Sequence, residues 1–437
     1  MFVLYTVIVL GLGTLLWTTV GIFRFVAERR RQKHHNANST EDSGQTVLPE
    51  QVAILVAAHN EDAVIAETIA SAAALVPLRN IFIVSDGSTD GTVTVARRAD
   101  VRVLDLSQNR GKAGALLAAI EYFQLAKRFE VVTLLDADTR LAADYLQTGL
   151  PPFADPGVVA VAGRVITSPV PSPTRFGRFL IAYRERFYRV VQLLHKYGQA
   201  AVAVNVVSIV PGFASMYRSS ALKDIDIAAP GLVIEDFNMT FEVHARKLGR
   251  IHFHPKTAIA YTQDPDNFRD YTRQIYRWNL GFWQTVRRHG LHRGRFWAAL
   301  ALQIFELISS SLVLLLLVPF MLVWSAFQIA EMYNVESPAA DFFSGVFVPE
   351  AILLGVLIPD FLLTIFVAAV TRDPLYLIRG LAFPLMRLLD AGIFITALVR
   401  AWFVRSTGIW VSPGRRPQTE HVPSTTTTQG IHKDYAV

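Results

Sequence analysis

Apolar and polar positions divide this chain into three regimes. Residues 2–23 form one apolar run without charge, long enough to cross a bilayer. From Val52 to about Gly249, short apolar runs alternate with stretches of helical periodicity, as in a Rossmann-like α/β domain. Long apolar stretches return after Leu307.

Within the middle regime, residues 51–58 (QVAILVAA) read as a buried strand broken by His59-Asn60-Glu61, and 63–74 as a helix. IFIVSDGSTDGT reads as a second strand entering a turn rich in Gly, Ser and Asp. Residues 101–106 are a third strand, and Asn109-Arg110-Gly111-Lys112 opens the next helix. VVTLLDADT is a fourth strand with Asp136 and Asp138 at its carboxyl end, the end where open α/β sheets bind ligands. After a proline-rich break at 169–174, residues 178–195 read as an amphipathic helix at a membrane face. Pro211-Gly212-Phe213 forms a turn, and Glu235-Asp236 marks a helix start.

Residues 307–329 read as a membrane span, and the acidic loop 331–341, without Lys or Arg, as extracellular. Residues 346–370 span back, interrupted by Pro349, Glu350, Pro359 and Asp360; acids at such depth face a protein interior or a polar path. Residues 375–404 carry Arg379, Pro384, Arg387, Asp390 and Arg400 and read as a broken or interfacial helix pair. The tail after Arg416 has a composition that does not build a core.

Composition sharpens this reading. Hydrophobic residues are 52% of 437 and charged residues 18%, a balance that leans towards a membrane protein. The absence of cysteine excludes disulfides, thiolate metal sites and cysteine nucleophiles. The net charge of +6 lies largely beside apolar segments, where it reports topology rather than nucleic-acid binding. Arg24, Arg29, Arg30, Arg31 and Lys33 follow the first apolar run instead of preceding it, so the run reads as an uncleaved anchor with its carboxyl end in the cytoplasm.

The candidate chemistry lies on carboxylates at strand ends and on one later helix. Asp136 and Asp138 are alternate residues of an extended segment, so two carboxylates on one side can hold a hard cation and leave positions for phosphate oxygens. Asp86 can accept from a base N–H or a ribose hydroxyl, or simply shape an Asp-Gly turn. Lys112, at a helix start, can sit beside a phosphate. Asp236 is the candidate general base, with Glu235 beside it raising its pKa slightly. In YTRQIYRWNLGFW (271–283), Gln274, Arg277 and Trp278 sit at i, i+3 and i+4 of a helix and share a face. The guanidinium suits a diphosphate and the indole suits a sugar ring. An amphipathic helix at a membrane surface would look similar.

In order, VAAHNE, VSDGSTDGT, NRGKAGAL, LLDADT, PGFASMYR, VIEDFNMTFE, RQIYRW and IWVSPGRR resemble the motifs of the processive family 2 glycosyltransferases. These include cellulose, chitin, hyaluronan and poly-N-acetylglucosamine synthases, and the likeness runs from about Val52 to Arg416. The resemblance implies an α/β GT-A (Rossmann-like) cytosolic catalytic domain inserted between transmembrane α-helices. It implies a UDP-sugar donor, UDP-GlcNAc or UDP-Glc first, Mg2+ or Mn2+, inversion at the anomeric carbon, and a growing β-linked polysaccharide as acceptor. By the same resemblance Asp86 and Asp136 contact the nucleotide, Asp138 the metal, and His59 and Glu61 border the uracil site. Asp236 is then the base, and Gln274, Arg277 and Trp278 hold the diphosphate and the acceptor sugar. Ile234 stands where Thr is usual, His254 precedes Pro255 where Glu is common, and one apolar span precedes the domain where several relatives have two.

The expected layout is an anchor at 1–26, a basic and polar linker at 27–50, the glycosyltransferase domain at 51–295, transmembrane and interfacial helices at 296–405 and a tail at 406–437. The expected setting is multi-pass in the plasma membrane with the catalytic domain cytoplasmic, the lipid bilayer as partner, room for a small accessory membrane subunit, and no nucleic acid. Two other functions fit parts of the pattern. A non-processive transferase would add one sugar to a lipid without needing Gln274, Arg277 and Trp278, and a non-catalytic membrane scaffold would be free to lose its carboxylates.

Overall fold

The computed structural model describes residues 11–35, 46–168, 172, 174–333, 338, 339, 341 and 349–404. Residues 2–10 of the first apolar run, the acidic loop around Glu336, the motif at 409–416 and the tail after Arg416 lie outside the described residues. The chain folds as two compact units. The described residues of one lie in 11–16 and Ala299–Val399; those of the other lie in Trp17–Ala298 and 400–404.

The larger unit is built on β1 (Val52–Ala58), whose seven residues are all buried. Its alternation feeds two cores. Leu55 and Ala57 pack with Ala115, Leu116 and Ala119, and Ile54 and Val56 pack with Ile65, Ile69 and Ala72. A strand covered on both faces reads as a continuous apolar run, which is why the pattern is so plain here. Each fully buried Leu or Ile contributes roughly 1.5–3 kcal/mol relative to exposure.

Around β1 lie β2 (Ile81–Asp86), β3 (Arg102–Leu106), β4 (Val131–Asp136), β5 (Arg140–Leu141), β6 (Val158–Ala162), β7 (Arg164–Thr167), β8 (Ala214–Arg218), β9 (Arg250–His252) and β10 (Ile259–Thr262). The main sheet has the order β3-β2-β1-β4-β8-β6-β9, and β5-β10-β7 form a second. The first four strands of the main sheet are parallel. β8 runs antiparallel to both neighbours, so the sheet is mixed. Strand direction leaves no trace in hydrophobic alternation, so the reversal at β8 is not legible in the pattern.

The helices are α1 (Leu12–His35), α2 (Ile65–Ala73), α3 (Thr92–Arg98), α4 (Gly111–Tyr122), α5 (Arg175–Arg189), α6 (Asp236–Ala245), α7 (Phe268–His289), α8 (Arg295–Met332), α9 (Pro349–Thr371) and α10 (Phe383–Phe403), with shorter turns between them. A π-helical turn, Val190–Lys196, continues α5. Within the larger unit, Arg24 of α1 donates to the carbonyls of Tyr197 and Phe253 at 2.9 and 3.0 Å and to Glu28 at 2.7 Å. That basic residue therefore docks a helix as well as adding to the charge bias.

In the smaller unit, Leu314, Val356 and Ala391 pack together from α8, α9 and α10. α8 and the stretch Leu354–Thr371 of α9 are long and apolar enough to cross a membrane. Pro359 sits inside α9, and the next residue, Asp360, is buried and paired with Arg387 at 3.1 Å. The charged stretch 375–404 is a short helix, Leu375–Gly380, followed by α10, with Leu381 and Ala382 between them.

Candidate active site

Register sets the carboxylates. β2 and β4 flank β1 in parallel, with Val84 and Asp136 both level with Ala57, so Asp86 and Asp136 emerge at one edge of the sheet. Asp86 is fully buried; its Oδ1 accepts from the Arg110 backbone N–H at 2.7 Å, and Oδ2 has no partner among the described residues. Burial raises its pKa against the opposing pull of the Arg110 and Gly111 amides and His59. Nδ1 of His59 lies 2.7 Å from the Asp86 carbonyl oxygen. Glu61 is buried beside the start of α3, its backbone N–H bonded to Thr92 Oγ1 at 2.8 Å. His59, Glu61 and Asp86 thus form one group at the ends of β1 and β2.

A cleft of about 240 Å³ is lined by Lys112, Asp136, Asp138, Asp236, Gln274, Arg277 and Trp278; His59, Glu61 and Asp86 do not line it, and Arg110, whose N–H bonds Asp86, does. Lys112 is its hub. Nζ lies 2.6 Å from Asp136 and 2.9 Å from Glu235, and donates to the Gly212 carbonyl at 3.2 Å. These anions hold its pKa well above the ordinary lysine range despite its burial. Gly212 makes the packing feasible: a Cβ there would lie 2.8 Å from Glu235 Oε1 and 3.1 Å from Lys112 Nζ. A solvated surface lysine is excluded, and the turn 211–213 acts as one wall of the ion-pair cage.

Asp236 opens α6, and its Oδ1 accepts from the Phe237 N–H at 2.8 Å. Its pKa is pushed up to about 6, first by burial and then by Glu235, with Lys112 and Arg277 pulling the other way. The sequence indicates the neighbour but not the larger cause, the burial. Lys196, at the end of the π-helical turn, is buried with its ammonium over the Phe253 ring, and burial pushes its pKa down to about 8. Nothing in its apolar sequence surroundings marks it.

α7 begins at an Asn267 cap that accepts from the Asp270 N–H at 2.9 Å and ends at Gly290, φ 69°. Its face carrying Gln274, Arg277 and Trp278 lines the cleft, and Tyr271, Ile275, Leu280 and Trp283 are buried. Gly281 lets the helix pack closely on the loop leading into α6, since a Cβ would meet Ile234 Cγ1 at 2.2 Å. Gln274 Oε1 is buried without a hydrogen-bond partner among the described residues, an acceptor available to a ligand hydroxyl or amide. Tyr188, Asp270 and Arg273 also line the cleft, and sequence reasoning did not single them out.

Asp136 and Asp138 supply carboxylate oxygens to the cleft and no nitrogen or sulfur donor, the chemistry of a hard cation. Among the described residues no group of three or more His, Asp or Glu side chains is placed to hold a metal. The donor set therefore fits a cation shared with a phosphate-bearing ligand and water, not a closed protein site.

Residues 53–226 match the family model described as Glycosyl transferase family 2. Poly-beta-1,6-N-acetyl-D-glucosamine synthase from Staphylococcus epidermidis is 26% identical over 253 residues, 54% of this chain and 58% of that protein. The Staphylococcus aureus (strain COL) protein of the same name is 25% identical over 264 residues, 59% of this chain and 60% of its own length. The match thus spans less than two thirds of these relatives. Among solved structures, a mannosyltransferase from Pyrobaculum calidifontis, in complex with GDP-Man and Mn2+, aligns with a TM-score of 0.50 at 17% identity, over 90% of this chain and 99% of that one. The likeness places the α/β unit, with its mixed sheet, in the GT-A type of fold.

Proposed function

We propose that this chain, which carries a family 2 glycosyltransferase domain homologous to poly-N-acetylglucosamine synthases, extends a β-linked polysaccharide from a UDP-sugar at the cleft between Lys112 and α7. The observation that carries the reading is the meeting in one cleft of Asp136, Asp138, Asp236, Gln274, Arg277 and Trp278, which are spread over more than 140 positions of sequence. The names of the relatives favour UDP-GlcNAc.

In this reading Asp86 accepts from the nucleotide through its unpartnered Oδ2, with His59 and Glu61 bordering the base. Asp138, with Asp136 beside it, would hold Mg2+ or Mn2+, and the ion would supply positive charge against the departing diphosphate. Arg277 grips the same diphosphate through its planar donors. Asp236 takes the proton from the acceptor hydroxyl as its oxygen bonds to the anomeric carbon and the bond from that carbon to the UDP oxygen breaks. Attack from the face opposite UDP inverts the anomeric centre. Trp278 lies against the acceptor sugar, and Gln274 offers its free acceptor oxygen.

α8 and α9 cross the membrane in this reading, with the catalytic unit cytoplasmic and the product leaving through the membrane. The test is incubation of purified full-length protein with Mn2+ and each UDP-sugar in turn, following UDP release and product size. Polymer from UDP-GlcNAc or UDP-Glc is expected. A product limited to one added sugar on a lipid would replace this reading with the non-processive one, and no UDP release from any donor would leave a scaffold.

A further inference from the structure

Arg184 is the largest side chain that is fully buried in the described residues, and the cleft chemistry above does not use it. It sits on α5 between three elements. Its Nε lies 3.4 Å from Asp264 Oδ1, in the loop between β10 and α7. An η nitrogen donates to the Tyr188 hydroxyl at 2.7 Å, one turn along α5, and that hydroxyl donates to Asp264 Oδ1 at 3.1 Å. Thr167 of β7 donates to the other Asp264 oxygen at 2.7 Å. The guanidinium carbon lies 4.3 Å from the centre of the Trp278 ring.

A buried ion pair is an expensive way to join elements, since desolvation offsets much of the attraction and apolar packing does the same work. The arrangement here does something that apolar packing does not. Planar guanidinium on planar indole fixes the plane of the ring, and the charge cannot drift because Asp264 and Tyr188 hold it from the other side. The half-buried ring still lines the cleft, as does Tyr188. We infer that Arg184, held by Tyr188 and Asp264, is a positioning residue that sets the plane of the Trp278 ring for the acceptor sugar. The inference rests on the reading of Trp278 as the acceptor platform.

A plate that holds a chain end while the chain advances must keep its tilt from one addition to the next. A tilting plate would release the acceptor early without changing how the donor binds. Lysine at position 184 keeps the charge near Asp264 but has no plane to lay on the indole, so it separates ion pairing from ring positioning.

The experiment compares wild type, Arg184→Lys, Tyr188→Phe, Trp278→Ala and the Arg184→Lys/Trp278→Ala double variant as purified full-length protein. UDP affinity, UDP-sugar hydrolysis and product length are read for each. Arg184→Lys is expected to shorten the product in the same sense as Trp278→Ala. It should raise the acceptor KM by roughly five- to thirtyfold, the range of a desolvated cation–π contact, with UDP affinity unchanged. The double variant should be no worse than Trp278→Ala alone. Shortened product from Trp278→Ala beside full-length product from Arg184→Lys would overturn the inference and leave the platform reading standing. So would a loss of UDP affinity in Arg184→Lys equal to its loss of elongation, the mark of a merely structural role. Full-length product from Trp278→Ala would instead overturn the platform reading, and the inference with it. Should Arg184→Lys fail to fold, Tyr188→Phe carries the same expectations in milder form.

Discussion

Asp86, Asp136 and Asp138 stand at or just beyond the ends of buried parallel strands, whereas Gln274, Arg277 and Trp278 project from one face of a helix. The first wall is held by backbone: register fixes Asp136 against Ala57, and a main-chain N–H fixes Asp86. The second is held by side chains, through Arg184 under Trp278 and the close approach of Gly281 to Ile234. Lys112 and Glu235 lie between them, at the foot of the candidate base. A backbone-built wall suits a ligand that must be placed the same way each time. A side-chain wall can be altered in tilt without disturbing the sheet. If the first wall and Arg277 take the donor while Trp278 takes the acceptor, changes at Asp138 and at Trp278 should fail in different ways.

The largest effect is expected at Asp138. Asp138→Asn should leave the protein folded and reduce transfer to near zero, and EDTA should do the same to wild type, because in the proposed reading a bound ion would supply much of the stabilisation of departing charge. UDP release measured with and without Mn2+ checks both, and full activity in EDTA would remove the metal from the account.

Asp236 comes next. Asp236→Asn should cost about a hundredfold or more in rate, as removal of a positioned base does, while UDP binding survives. In wild type the rate should rise with pH through an inflection near the value of about 6 to which burial and Glu235 push this carboxyl. Stability should move the opposite way. A carboxyl whose folded pKa lies above its unfolded value binds more protons folded than unfolded, so its contribution is favourable at low pH and is lost as pH rises from about 4 towards 6. Asp236→Asn should therefore melt no lower than wild type, with its advantage growing across that window; thermal melts at pH 4 and pH 8 read the difference.

Gly212→Ala probes the seam between the walls. The added methyl would press on Glu235 and Lys112, so donor affinity and rate should both fall by roughly tenfold, the scale of about 1.4 kcal/mol, through disturbed ion pairs. Titration of UDP binding by calorimetry checks this, and wild-type affinity would show that Lys112 is not coupled to the donor. The smallest effect on turnover is expected from Trp278→Ala, which should change product length more than the rate of UDP release.

Much of this was legible before any coordinates. β1, β2 and β4 are buried on both faces and therefore read as plain apolar runs; Asp86 and Asp136 end β2 and β4, and Asp138 follows two residues later. The face of Gln274, Arg277 and Trp278 follows from helical spacing alone. What was not legible depends on separation in sequence. Lys112 meets Asp136 from the next strand and Glu235 from more than a hundred positions further on, and no local pattern announces the meeting. Arg184 reads as one of many arginines on an amphipathic helix until Asp264 and Trp278 are brought to it by β10 and α7. The reversal of β8 and the burial of Lys196 are likewise products of packing.

The most direct test of the central claim is the product-length distribution made by Trp278→Ala from UDP-GlcNAc, set against wild type at equal protein and matched UDP affinity. The account predicts long polymer from wild type and markedly shorter chains from the variant while UDP affinity is retained. Chains of wild-type length from Trp278→Ala, or UDP affinity lost in step with chain length, would contradict the assignment of Trp278 to the acceptor and not to the donor.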